Sequence, residues 1–261
     1  MIVKRNDDSA NWKTLSTPWA RVEHGGVSTG MKVVKSKTEG ETQHRPAGYH
    51  HGNLRAALLD VALKTLAEKG AAALSLRAIA RQAGVSQTAP YNHFADKEAL
   101  LAALATVGYK GLSDSMAQAV VAAAPVDTAS EIRALGRGYL DFAIRKPEQL
   151  RLMFGGEIVD MREFPELMAA AHDAFAAINT AVERFIDEGN TGPTGRMGPN
   201  TATIAAWSMV HGLSTLLIDH KVNPAETEAG TEAELIEQIL DIFVDALKKN
   251  RDKSGPNSFF S

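Results

Sequence analysis

Residues 80–100 read ARQAGVSQTAPYNHFADKEAL. They open on the end of a short apolar-periodic segment whose inner stripe is Leu76, Ile79, Ala80 and Ala83. Gly84 supplies the left-handed conformation that stops a helix, and Val85 plugs the turn that follows. Ser86 is placed as the cap of a third helix through about Phe94, and Asp96 as the cap of a fourth running from Lys97 into the 110s or beyond. Between two amphipathic helices the chain therefore displays Gln87, Thr88, Tyr91, Asn92 and His93 on a helix too small and polar to bury much.

Upstream, Leu54, Leu58, Val61, Ala62, Thr65 and Leu66 recur at steps of three and four from Gly52 onward, and Gly70 ends the run. Ser75 is the expected N-cap of the next helix. Two helices joined by a four-residue turn containing Gly form a helix-turn-helix, whose second helix enters the major groove. That groove, about 12 Å wide, admits one helix, and its exposed face must offer donors, acceptors and flat rings to base edges and phosphates. Gln87 and Thr88 lie in the first turn, where backbone N–H groups also point toward phosphate. Tyr91 and Asn92 lie one turn on. Ala89 keeps the surface low, Pro90 removes an intrahelical donor, and Phe94 is expected to point inward as the anchor. Other roles suit the same residues: Gln87 and Thr88 as ordinary solvated first-turn side chains, Tyr91 as a half-buried ring with its hydroxyl in water, His93 as a packing or capping residue, Lys97 as a solvated charge.

Downstream the pattern stays helical. One helix covers 128–146 and stops at Pro147, a short one covers 148–154 before Gly155 and Gly156, and a longer one runs from about Pro165 to Glu188. TGPTGRMGPN at 191–200 reads as a loop. Two last helices follow at about 201–220 and 231–249, the final one with Leu235, Ile236, Ile239, Leu240, Phe243 and Leu247 on one stripe. Residues 1–47 are polar and aperiodic and read as a mobile arm, in which Met31 is a second candidate start. The expected organisation is all-α: an arm (1–47), a three-helix helix-turn-helix domain (48–100), a helical ligand-binding and dimerisation domain (101–250) and a tail (251–261).

Composition narrows the function. The 261 residues contain no cysteine, which excludes disulfides, thiolate catalysis and Cys-ligated zinc and fits a reducing cytoplasm. No uninterrupted apolar run reaches about 18 residues and the amino terminus carries no apolar signal core, so neither a membrane span nor a secretory signal is expected. The net charge of −3 conceals an asymmetry: residues 1–100 carry fourteen Lys/Arg against nine Asp/Glu, and residues 101–261 fourteen against twenty-two. A basic head on an acidic body suits nucleic-acid binding.

Residues 49–104 resemble the amino-terminal domain of the TetR family of transcriptional regulators. The resemblance is carried by the Gly70 stop, the Ser75-Leu76 helix start, the Ile79-Ala80 core pair, Gly84-Val85-Ser86, Tyr91-x-His93-Phe94, and Lys97 with Leu100. It implies a homodimeric, cytoplasmic regulator, most often a repressor, released from a palindromic double-stranded DNA operator by a small molecule. Thr88 and Tyr91 would lie on bases or phosphates and Lys97 on a phosphate, with Ser75, Ser86, Gln87, Asn92 and His93 completing the DNA-binding set. Asn92 departs from the basic residue many members carry there, so a phosphate contact is lost or an adenine-reading amide gained. Trp207-Ser208-Met209-Val210-His211-Gly212-Leu213 resembles the Trp-His-Gly pattern of one carboxy-terminal class. Trp207 and His211 share a helix face and suit a buried pair at a dimer seam as well as a ligand contact. The resemblance further implies dimerisation through the last two helices and an effector pocket. Phe142, Met153, Phe154, Met168, His172 and Phe175, with Trp207 and His211, are the candidate pocket residues, though Met and Phe at helical spacing also serve as core.

No catalytic role is expected. Gly26-Val27-Ser28-Thr29-Gly30 matches G-x-S-x-G, but no strand-turn-helix mounting surrounds it. His44, His50 and His51 could ligate a transition metal, but two adjacent histidines in the arm make a weak site and no HExxH spacing occurs, so neither a metal nor a cofactor is expected. An architectural DNA-binding protein would carry a larger basic excess and show little sequence preference.

Overall fold

A computed structural model describes residues 54–158, 160–190, 192 and 197–248; the arm, with its GVSTG and histidine motifs, and the tail lie outside these residues. Eight α-helices and no strand occur among the described residues: α1 (Leu54–Lys69), α2 (Leu76–Gln82), α3 (Lys97–Ala123), α4 (Thr128–Arg145), α5 (Pro147–Phe154), α6 (Pro165–Asp187), α7 (Pro199–Ile218) and α8 (Glu232–Leu247). The punctuation residues act as their chemistry dictates. Gly70 and Gly84 take φ of 72° and 69°, a region costly for a Cβ-bearing residue. The Ser75 and Asp96 side chains accept from the backbone N–H of Ala78 and Ala99 and so cap α2 and α3. Pro147, Pro165 and Pro199 each occupy a first helical position, where the missing N–H has no partner to lose.

The segment expected to be a third helix folds differently. Residues 89–92 form a single 3-10 turn, and Ser86 does not cap it: the Ser86 hydroxyl lies 3.2 Å from the Thr88 hydroxyl, while the Ser86 carbonyl accepts from Ala89 N–H. Pro90 is the physical reason. It has no N–H to bond a preceding carbonyl, and its own carbonyl accepts from both His93 and Phe94 N–H at 2.9 Å, which tightens the chain.

From Arg55 onward the described chain packs as one unit. Leu58, Ala62 and Leu66 of α1, Ile79 and Ala80 of α2, Phe94, and Leu100 and Leu104 of α3 are buried. Helix α3 continues without a break through residue 101, where a domain boundary was expected. It packs along α4, with α5 and α6 also against it, while α7 and α8 lie on α4. In α8 the core edge is Ile236, Leu240, Val244 and Leu247; Leu235, Ile239 and Phe243 are not fully buried. The α3–α4 contact is close enough to require glycine: a Cβ on Gly138 would lie 2.5 Å from Met116 Cα.

Helix α7 has a mean hydropathy of 1.3 over an 18-residue window with 39% of that window buried, so by length and composition alone it is long and apolar enough to cross a membrane. A search for uninterrupted apolar runs passes over it because Ser, Thr, His and Asn interrupt the run without adding a formal charge.

Candidate DNA interface and aromatic core

The turn between α2 and α3 presents a polar surface fixed from beneath. Phe94 is 3% exposed and Pro90 is buried, so the segment is pinned at two points. The Arg55 guanidinium sits 5.5 Å from the centre of the Phe94 ring and ties this anchor to α1. Thr65 of α1 donates to the Gln82 side chain at 3.1 Å, bracing the end of α2. Above this base Ser86, Gln87, Thr88, Tyr91, Asn92, His93 and Lys97 are all exposed, as is Ser75 at the other end of α2. The Tyr91 ring, 48% exposed, is one of the few large hydrophobic side chains left in solvent. Reading the sequence passed over Arg77 and Arg81, one turn apart and both exposed on α2 beside Ser75. Their spacing of four after a capping serine was the available signal.

The eight residues expected to line a pocket divide. Phe154 of α5, Phe175 of α6, and Trp207 and His211 of α7 come together in one aromatic cluster. Phe154 lies 4.7 Å from His211 and 5.7 Å from Trp207 by ring centres, and Phe175 lies 6.3 Å from Trp207. Met153 is buried beside it, and its carbonyl accepts from the Tyr109 hydroxyl at 3.3 Å. Phe142 is buried against Gly111, outside the ring contacts of this cluster. Met168 is half-buried, and His172 points outward with half its side chain exposed, 3.8 Å from Asp173.

Two members of the cluster were not among the expected residues, Tyr109 of α3 and Tyr139 of α4. Burial raises the pKa of both phenols, so they stay neutral. Tyr139 shares a 2.9 Å hydrogen bond with His211 Nδ1 and also bonds the Trp207 side chain. Indole is a donor only. Which of the two atoms donates in the Tyr139–His211 bond depends on the imidazole tautomer. Half-burial lowers the His211 pKa because the charged ring loses solvent there. The sign follows from linkage. Below about pH 6.5 the unfolded chain takes up the proton more readily than the fold does, so stability falls on acidification. Thermal melts at pH 7.5 and 5.5 should show a larger loss for the native chain than for His211→Gln; equal losses would remove His211 as the cause. The carboxylates of Asp127, Asp160 and Asp245, whose pKa values are lowered by hydrogen bonds from Ser130, Arg162 and Lys248 respectively, titrate well below this window.

Comparison with known proteins bears on both regions. Residues 58–104 match the family described as bacterial regulatory proteins, tetR family, and residues 132–248 match the tetracyclin repressor-like, C-terminal domain. The chain is 27% identical over 144 residues to the HTH-type transcriptional regulator Rv1816 of Mycobacterium tuberculosis, a match covering 52% of this chain and 62% of that protein's length. A protein of unknown function from Rhodococcus sp. RHA1 is 31% identical, with a TM-score of 0.65 over 78% of this chain and 100% of that one. The TetR family transcriptional regulator PfmR from Thermus thermophilus, at 20% identity, has a TM-score of 0.53 over 73% of this chain and 98% of that one, a likeness of fold.

Proposed function

The chain belongs to the tetR family of bacterial regulatory proteins, and on that premise we propose that it is a ligand-responsive, sequence-specific DNA-binding regulator, a repressor released from a palindromic operator by a small molecule. The observation that carries this reading is the exposed set Gln87, Thr88, Tyr91 and Asn92, held above a buried Pro90–Phe94 base between two capped helices. Side chains of these types discriminate base edges, and Ser75, Ser86, His93 and Lys97 with Arg77 and Arg81 surround them with phosphate partners. As a homodimer joined through α7 and α8, the protein would set two such surfaces on successive major grooves roughly 34–36 Å apart. Its carboxy-terminal domain is of the Trp-His-Gly type in this reading, with Trp207 and His211 clasping Tyr139, and the aromatic core that they form with Phe154 and Phe175 is where the body senses its ligand. The protein works in the cytoplasm, without a cofactor and without catalysis.

The test is selection of duplexes from a random pool at about 0.15 M salt. The native protein should enrich a palindrome, and Tyr91→Ala should lower affinity for it about tenfold with the dimer intact. Arg77→Gln should instead weaken all sequences alike and reduce the slope of log affinity against log salt by about 0.9. Failure to enrich any motif would overturn the reading. Unchanged affinity in Tyr91→Ala would take that ring out of the interface.

A further inference from the structure

A groove of about 640 Å³ lies apart from both regions, between α1 on one side and α3, α4 and the start of α5 on the other. Its volume is within the range of sites that hold small organic ligands, roughly 300–1,000 Å³. Leu63 of α1 and Val107 of α3 are half-buried apolar side chains on its walls, over a floor of buried Leu66 and Phe142, and Ala67, exposed on α1, stands at its rim. Four charged residues line it. Glu148 is engaged by Arg151, and Asp114 is an exposed carboxylate on α3. The other two, Arg145 and Lys146, are cations where α4 gives way to α5. Arg145 is bonded to neutral acceptors, the Asp141 carbonyl at 3.1 Å and the Ser115 hydroxyl at 3.3 Å. A guanidinium has five donor hydrogens, so these two bonds leave three for a ligand.

We propose that this groove binds an amphipathic monoanion, a carboxylic acid of medium chain length, with the carboxylate on Arg145 and Lys146 and the tail against Leu63, Ala67 and Val107. Two cations against one uncompensated carboxylate favour an anion over an amine, and a planar carboxylate matches the guanidinium fork. The apolar walls require a tail, since a small free anion would leave them wet. The site is separate from the aromatic core and rests on the ligand-responsive reading only for its consequence: α1 forms one wall and also braces the DNA-facing turn through Thr65 and Arg55. A ligand that favours one spacing of α1 from α3 biases the head by as much as its affinity differs between the two spacings.

Calorimetric titration of the full chain with octanoate, 1-octanol and octylamine tests the site directly. Octanoate should bind at least tenfold more tightly than either analogue. Ala67→Phe, which fills the rim from an exposed position, should weaken octanoate at least tenfold, and Arg145→Gln, which keeps a donor for Ser115, about tenfold. No heat with octanoate, equal binding of 1-octanol, or octanoate binding untouched by Ala67→Phe would overturn the proposal. Operator release, measured separately on the selected duplex, distinguishes the two ideas. Octanoate bound in the groove with no change in DNA affinity keeps the site and overturns release through it. Release by octanoate that survives in Ala67→Phe overturns the site and keeps the release reading.

Discussion

Replacing Gly138 by valine should lower the unfolding free energy by about 3 kcal/mol, a fall in Tm of roughly 6–12 °C for a chain of this size. The reason is what a Cβ would meet: Met116 Cα at 2.5 Å, Ser115 carbonyl oxygen at 2.7 Å and Met116 N at 2.9 Å. All three are backbone atoms of α3, so no rotamer change relieves the clash and the two helices must move apart. Separation would also disturb the Ser115 hydroxyl, which donates to the Gly138 carbonyl at 2.8 Å and accepts from Arg145. Alanine should cost less, because it adds only the Cβ, and that clash is partly offset by a helix propensity about 1 kcal/mol better than that of glycine. Gly136 and Gly108 offer the contrast. There the nearest atoms are Leu240 Cδ2 at 2.6 Å and Met153 Sδ at 2.5 Å, ends of side chains able to rotate away, so Gly136→Ala and Gly108→Ala should be milder than Gly138→Ala. Denaturant melts followed by helical circular dichroism rank the four. A Gly138→Val chain as stable as the native one would mean that α3 and α4 do not meet at this glycine.

That contact also marks how far the sequence reaches. Stops and starts were legible because each depends on one residue's own chemistry: Ser75 and Asp96 as side-chain acceptors, Gly70 and Gly84 as left-handed positions, Pro165 as a first-turn residue; Pro147, read only as a stop, also opens α5. Local effects that compete were harder to read. Ser86 looked like a cap, yet Pro90 four residues on tightens the chain into a 3-10 turn instead. The long-range arrangement was least legible. Periodicity gives each helix an inner stripe but does not say which stripes face the same interior. Phe175 and His172 are three apart on α6, and one reaches Trp207 while the other is half-exposed in solvent. Tyr139 was invisible as a site residue for the same reason, since its partners Trp207 and His211 lie some seventy residues away and only the packing of α4 on α7 brings them together.

The double variant Leu216→Glu, Ile242→Glu should be a monomer by light scattering and should bind the selected operator about a hundredfold less tightly or worse, since two linked half-site contacts become one. Within one chain both side chains are exposed, Leu216 at 43% on α7 and Ile242 at 68% on α8, and Ile204, at 52%, adds to the same pair of helices. Isolated exposed apolar residues need no explanation, but three on α7 and α8 are what the dimer seam proposed above would cover. Gly212 extends the argument: a Cβ there would meet nothing within 4 Å, so nothing in the protomer itself requires glycine at that helical position. Gly212→Ala should therefore stabilise the isolated protomer by up to about 1 kcal/mol while weakening the dimer, a combination expected only where a second chain approaches the helix closely. Both glutamates enter at exposed positions, so the variant should keep the native helical signal, which separates a lost dimer from a lost fold. A double variant that remains dimeric with full operator affinity would place the seam away from α7 and α8. A monomer that retained full affinity would instead show that one protomer suffices to read the DNA, and the palindromic operator would have to be abandoned.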